Sequence, residues 1–273
     1  MRVFDIHTHI FPDKIAARTV ESIGKASNLV PSYDGTRRGL EKALQSAGID
    51  GALNCPIATK PDQVASINNW ASDQNRWPIL SLGSVHPEFP DLHHCIQRVH
   101  EAGLRGIKVH PEYQQFALDD PRMTTVWEAC HAHRLIVMLH SGADIAFAPP
   151  FRSTPDTVAA LISKYPGMQL IAAHFGGWEM WDAVENELLG KRLYLDTSFT
   201  LGRLPDETVV RLMRKHGVDK VLFGTDAPWR DQKADLEHFL RLPLTHEEQQ
   251  AILWDNAAAL LRLPEGRRPE SNT

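Results

Sequence analysis

Short apolar runs rich in β-branched residues recur along the chain, each closing on Gly, Pro, His or Asp and each followed by a stretch of helical period. Eight of them read as strands: Val3–Ile6, Gly51–Cys55, Ile79–Val85, Gly106–Val109, Leu135–Leu139, Leu170–Ala173, Leu193–Leu195 and Val221–Gly224. The intervening periodic segments predict helices over Leu40–Ala47, Gln63–Gln74, Leu92–Ala102, Met123–His133, Thr157–Lys164, Met180–Glu187, Asp206–His216 and Lys233–Arg241. A last helix is expected over Glu247–Leu261. The strands are continuously apolar rather than alternating, as a parallel sheet demands when helices bury both of its faces. Eight strand–helix units then predict an α/β fold of the (β/α)8 TIM-barrel type, one domain over residues 1–262. An open doubly wound sheet is the rival, but no G-x-G-x-x-G follows the first strand. The first two strands begin at 3 and 51, the widest separation in the series, so residues 10–38 are an insertion placed to form a lid or a subunit contact at the mouth of the barrel. Residues 263–273, polar and charged from Pro264 onward, are expected to form a disordered tail.

Composition adds exclusions. The 273 residues carry a net charge of −5 and 42% hydrophobic residues, which sets aside disordered, collagenous and coiled-coil classes and leaves no basic footprint for nucleic acid. No apolar run is long enough to span a membrane, and no basic-then-apolar leader precedes the first strand. Three well-separated cysteines, Cys55, Cys95 and Cys130, form no C-x-x-C pair; a reducing, cytoplasmic location and no zinc ribbon are expected. No G-x-S-x-G elbow, P-loop or kinase signature is present. Histidine is the anomaly, with 14 residues.

In a barrel, catalytic groups project from the C-terminal ends of strands. That is where this chain concentrates its polar residues: Asp5-Ile6-His7-Thr8-His9, Lys108-Val109-His110, His140-Ser141-Gly142, His174-Phe175-Gly176-Gly177 and Gly224-Thr225-Asp226-Ala227-Pro228-Trp229. Imidazole and carboxylate suit Zn2+, Mn2+ or Fe2+, and His7, His9, His140 and Asp226 supply such a set with room for water or substrate. A bound divalent ion makes hydroxide available near neutral pH and polarises a carbonyl. Asp226 is then both ligand and proton acceptor, and His174 an electrophile or proton shuttle. Because side chains alternate along a strand, Asp5, His7 and His9 are expected on one face, with Asp5, the deepest, orienting an imidazole instead of touching the metal. Asp196 either contacts substrate or caps the turn after its strand.

Other residues after the strands admit two readings. Trp178 and Trp229, with Tyr113, could line a dry pocket for a small organic substrate, although Trp178 and Trp181 could equally form a core-facing helix stripe. His110 either faces substrate or ends its strand before Pro111. Arg152 and Arg230 could clamp a substrate carboxylate or be solvated. Histidines on or beside predicted helices, His216 among them, are read as satisfied or surface residues.

Taken in order, the H-x-H, G-x-K-x-H-P, L-H-S-G, A-H-x-G-G and G-T-D-x-P segments resemble the amidohydrolase superfamily, in its branch containing aminocarboxymuconate-semialdehyde decarboxylase, resorcylate decarboxylases and TIM-barrel lactonases. The resemblance implies that His7, His9 and His140 are metal ligands, Asp226 a ligand and general base, and His174 a catalytic residue or a ligand of a second ion. It also puts Lys108 where binuclear members carry a bridging carboxylated lysine; in the decarboxylase-like branch a free Lys108 would face a substrate oxygen, and one ion is the expectation. Hydrolysis of a lactone, amide or ester is the leading function. Non-oxidative decarboxylation of a small carboxylic acid is the alternative, and a non-catalytic metal-binding barrel the remote one. The partner expected is a small molecule, with a homo-oligomer open.

Overall fold

A computed structural model describes residues 1–263. Its strands are β1 (Phe4–Thr8), β2 (Gly51–Asn54), β3 (Ile79–Ser81), β4 (Gly83–Ser84), β5 (Gly106–Val109), β6 (Ile136–Leu139), β7 (Gln169–Ala172), β8 (Tyr194–Asp196) and β9 (Val221–Leu222), all paired in parallel with their neighbours. β3 and β4 are two parts of the run expected as one strand. Leu82 between them donates to Asn54 O on the β2 side, while Gly83 and Ser84 pair with β5. Closure comes from Ile6 N to Phe223 O at 2.9 Å, Asp226 N to His7 O at 2.8 Å and His9 N to Ala227 O at 2.7 Å, which join the last strand to the first. The structure is thus the expected (β/α)8 barrel, a closed sheet with no free edge.

Alternation along the strands divides the apolar side chains between two cores. Val137 and Leu139 of β6 join the large core beneath the helices. Ile136 and Met138 join a second core with Phe4, Leu53 and Ile171, packed against Trp254, Leu260 and Leu261 of the C-terminal segment. That segment is helical over His246–Gln250 and Asn256–Leu261 with a π turn over Ala251–Asp255, rather than one regular helix. Leu263 belongs to the same core at 8% exposure, so the ordered fold extends to it; the rest of the expected tail lies outside the described residues.

Two features of the mouth differ from the sequence reading. The insertion contains a helix over Asp13–Ser27 with Ala16, Val20 and Gly24 buried, and its apolar Ile15, Ala16, Val20 and Ile23 recur at helical spacing although the sequence reading assigns no element to 10–38. β1 carries a register shift between Asp5 and Thr8, so strict alternation fails there. Asp5 consequently bonds Thr225 N at 3.0 Å, Thr225 Oγ1 at 2.6 Å and Gln232 Nε2 at 2.6 Å, pinning the end of the eighth barrel strand instead of orienting an imidazole. All three cysteines are free and buried, and no described helix is long and apolar enough to cross a membrane.

Candidate metal centre

At the C-terminal ends of β1 and the last strand, His7, His9 and Asp226 bring donor atoms within 4.8 Å of one another. Asp226 holds its place with a φ of 66°, and His174, Phe175 and Phe199 at neighbouring strand ends also have positive φ. Such backbones cost on the order of 1–3 kcal/mol each and persist where the surroundings enforce them. Asp226 Oδ1 stands 2.8 Å from His9 Nε2 and 3.4 Å from His7 Nε2, but without hydrogen-bond alignment, and this buried oxygen has no hydrogen-bond partner among the described residues. Two ring nitrogens and a carboxylate oxygen that crowd together without bonding one another are arranged for a cation between them. Burial alone would raise the Asp226 carboxyl, but the His7 and His9 imidazoles hold it far below the ordinary carboxylate range.

A buried network fixes the imidazoles. His7 Nδ1 donates to Asp196 Oδ2 at 2.9 Å, which leaves the Nε2 lone pair facing the cavity, 3.1 Å from Lys108 Nζ. Burial first, then Lys108, lowers His7 to about 4. Burial pulls the opposite way on Asp196, but His7 and Ser198 bring its carboxyl down to about 2. Lys108 is itself buried, which lowers its ammonium. Asp196 Oδ1 accepts from His174 N at 3.0 Å, Ser198 N at 3.0 Å and Ser198 Oγ. It therefore caps its turn and orients His7 together, a role that its position after the seventh strand did not disclose.

From Ser198 a single file of contacts runs to His174 Nδ1 at 2.9 Å, from His174 Nε2 to His140 Nδ1 at 3.0 Å, and from His140 Nε2 to Ala143 O at 3.1 Å. Both ends of the file, Asp196 and Ala143 O, are acceptors. Its four links demand four protons, whereas a neutral serine and two neutral imidazoles bring three. Burial lowers both His140 and His174, so the neutral count is the favoured one and one link goes unmade.

His140 does not join the His7–His9–Asp226 trio in the structure. It groups with His110 and Asp144, its ring stacked on His110 at 3.9 Å between centroids, and His110 Nε2 lies 3.2 Å from Asp144 Oδ2. Burial and Lys108 push His110 well below its ordinary value, and its buried Nδ1 has no hydrogen-bond partner among the described residues. Gly142 makes this corner: at φ 93° it lies so close to Trp178 that a Cβ would meet the Trp178 backbone nitrogen. Asp144 was not foreseen; its only sequence signal is its place four residues after His140.

The donors open into a cavity of about 480 Å³, within the usual range for small-molecule sites. His110, His174, Lys108, Trp178 and Trp229 all line it, as does Tyr113. Arg152 does not. Its Nη1 is 2.8 Å from Glu112 Oε2 and its backbone N also donates to that carboxylate, so the carboxylate expected from a substrate is supplied by the chain itself. Arg230 is likewise paired with Asp235, and Trp181 packs against the core.

The model of a family described as Amidohydrolase matches residues 4–263. The chain belongs to the amidohydrolase family. Among solved structures, this amidohydrolase is similar to an uncharacterised TIM-barrel protein from Bordetella bronchiseptica, with a TM-score of 0.76 and 17% identity over 96% of this chain and 99% of the other. It is similar also to 5-carboxyvanillate decarboxylase from Sphingomonas paucimobilis, with a TM-score of 0.70 and 14% identity over 96% and 99% of the chains. A mutant 5-carboxyvanillate decarboxylase from Novosphingobium aromaticivorans with bound manganese gives 0.71 and 13% over 96% and 97%. Identities this low speak for the fold. No curated protein matches the chain significantly in sequence.

Proposed function

We propose that this amidohydrolase hydrolyses a small lactone, amide or ester with water activated by one divalent ion, Zn2+ being expected and Mn2+ or Fe2+ equally suited to the ligand types. The observation that carries the reading is the buried, unpartnered Asp226 Oδ1 among the Nε2 atoms of His7 and His9. His7, His9 and Asp226 would hold the ion, with His140 as the fourth protein ligand. The proton count supports His140: when its Nε2 turns from Ala143 O to coordination, three protons serve the three remaining links. Bound there, the ion would supply a water acidic near neutral pH and a Lewis acid for the carbonyl.

The rest of the chemistry belongs to the chain. Asp226 Oδ2, the oxygen not turned between the two histidines, would take the proton of the attacking water. His174, backed by Ser198 and Asp196, would carry a proton to the departing group. Lys108 would remain a free amine and, with the His7 Nε2 lone pair given to the ion, would turn its ammonium to a substrate oxygen, and His110, Trp178 and Trp229 would form the wall against which the substrate lies and from which water is excluded.

Decarboxylation of a carboxylic acid is the second reading, favoured by Lys108 standing at the cavity floor beside His7, where a carboxylate could lie against both ion and amine. A panel of lactones, esters, amides and aryl carboxylic acids separates the two. The first reading expects acid release without CO2, and trapped CO2 would move the assignment to the second.

A further inference from the structure

Above the metal floor, the cavity is walled by two helices that lie outside the sheet. The Asp13–Ser27 helix places Ile15, Thr19 and Ile23, four residues apart, along the cavity, in the row beside its buried Ala16–Val20–Gly24 stripe. Ile15 is left 49% exposed although its helix has a packed apolar face of its own. The Val64–Gln74 helix lines it with Ile67 and Trp70, which also pack partly buried against the outer core beside the fully buried Val64 and Ala71. A helix usually buries one stripe. Here two helices each carry an apolar face wide enough both to pack on the barrel and to line one cavity, continuous with the floor where His7, His9 and Asp226 converge.

Charge sharpens the point. Among the described residues that line it, Lys108 is the only lysine, no arginine is found, and both aspartates, Asp144 and Asp226, sit against histidines at the floor. A second carboxylate, a phosphate or an ammonium group on the far part of a substrate would meet no counter-charge and would lose its hydration.

We infer that the substrate carries, beyond its reacting carbonyl or carboxyl head, an uncharged apolar tail of alkyl or aryl character that lies along the Ile15–Ile23 and Ile67–Trp70 stripes, and that these residues set chain-length specificity. The inference rests on the metal-floor reading above, which fixes where the head lies. Each methylene seated there tightens binding about threefold to fourfold, the factor for burying one CH2.

The test is calorimetric titration of the metal-loaded protein with straight-chain hydroxamic acids from acetohydroxamate to octanohydroxamate, and with octanohydroxamates bearing a terminal carboxylate. The expected result is a Kd that falls at each added methylene, by about a hundredfold over four of them, with the terminal carboxylate cancelling most of that gain. In Ile23→Gln, and separately in Ile67→Gln, the slope with chain length should flatten; metal content and circular dichroism of each variant report whether the floor and fold survive. Acetohydroxamate binding with no gain on lengthening, or equal binding of carboxylated chains, overturns the inference alone. Failure of acetohydroxamate to bind protein that carries its ion overturns the floor reading and the inference with it.

Discussion

His7, His9 and Asp226 at the floor and Ile15 and Ile23 at the roof face one cavity, but different structures hold them. The floor residues stand on or beside strand ends of a closed barrel, and His7 is oriented by Asp196, a buried partner 189 residues away. The roof is one helix of an insertion, tied down where the barrel closes by Tyr33 Oη to His9 O at 2.7 Å and Ser32 N to Pro228 O at 2.8 Å. On the proposed reading, a donor displaced by an ångström at the floor would lose the ion, whereas a side chain exchanged on the roof would alter only what the pocket accepts. Chemistry and selectivity would then fall to separable pieces of chain, as expected where one barrel serves many substrates.

The most severe break in that comparison is at the floor itself. His7→Ala or Asp226→Asn should remove the ion and abolish turnover while far-UV circular dichroism stays at the wild-type level, because the folding core lies below and around the sheet. Metal analysis and activity on one preparation check this. One step back, Asp196→Asn should weaken metal affinity by about 10–100-fold without emptying the site at saturating metal, as expected for a residue that orients a ligand. A titration with a competing chelator measures it.

Acid gives a graded version of the same break. An exposed imidazole would begin to release metal near its ordinary pKa, but burial and Lys108 hold His7 at about 4. Protonation lowers affinity only below the ligand's own pKa, so the effect of His7 on metal content should be flat from pH 8 to about 5 and fall below that. The His7 ring followed by NMR in the metal-free protein checks the environment directly, and a His7 titration centred near pH 6.5 would contradict it. The smallest effect belongs to Arg152, which the cavity does not use. Arg152→Ala should leave KM within about twofold and lower stability by about 1 kcal/mol, through the loss of the guanidinium on Glu112 Oε2 and discounted because that guanidinium is 41% exposed. Steady-state kinetics beside urea unfolding separate the two outcomes.

What the sequence disclosed follows the same division. All eight barrel strands were legible because continuous apolar runs need no partner to be recognised, and the floor was legible because H-x-H, L-H-S-G and G-T-D segments sit at their ends. Asp196 stayed ambiguous because its value lies in reaching His7 from the far side of the barrel. Asp5 was misplaced because a register shift in β1 is set by pairing with β2, not by β1 alone. The roof helix carries its period in Ile15, Ala16, Val20 and Ile23, but a stretch read only as an insertion between two strands is not searched for it, and Arg152 reads as a substrate contact because nothing local reveals Glu112 forty residues before it.

The most direct test is a crystal structure of protein saturated with Zn2+ or Mn2+, with the ion located by its anomalous scattering. The account predicts one ion per chain, within about 2.3 Å of His7 Nε2, His9 Nε2 and Asp226 Oδ1, with His140 Nε2 swung away from Ala143 O to complete the set. An ion held instead by His110, His140 and Asp144, or none bound between His7 and Asp226, would contradict it.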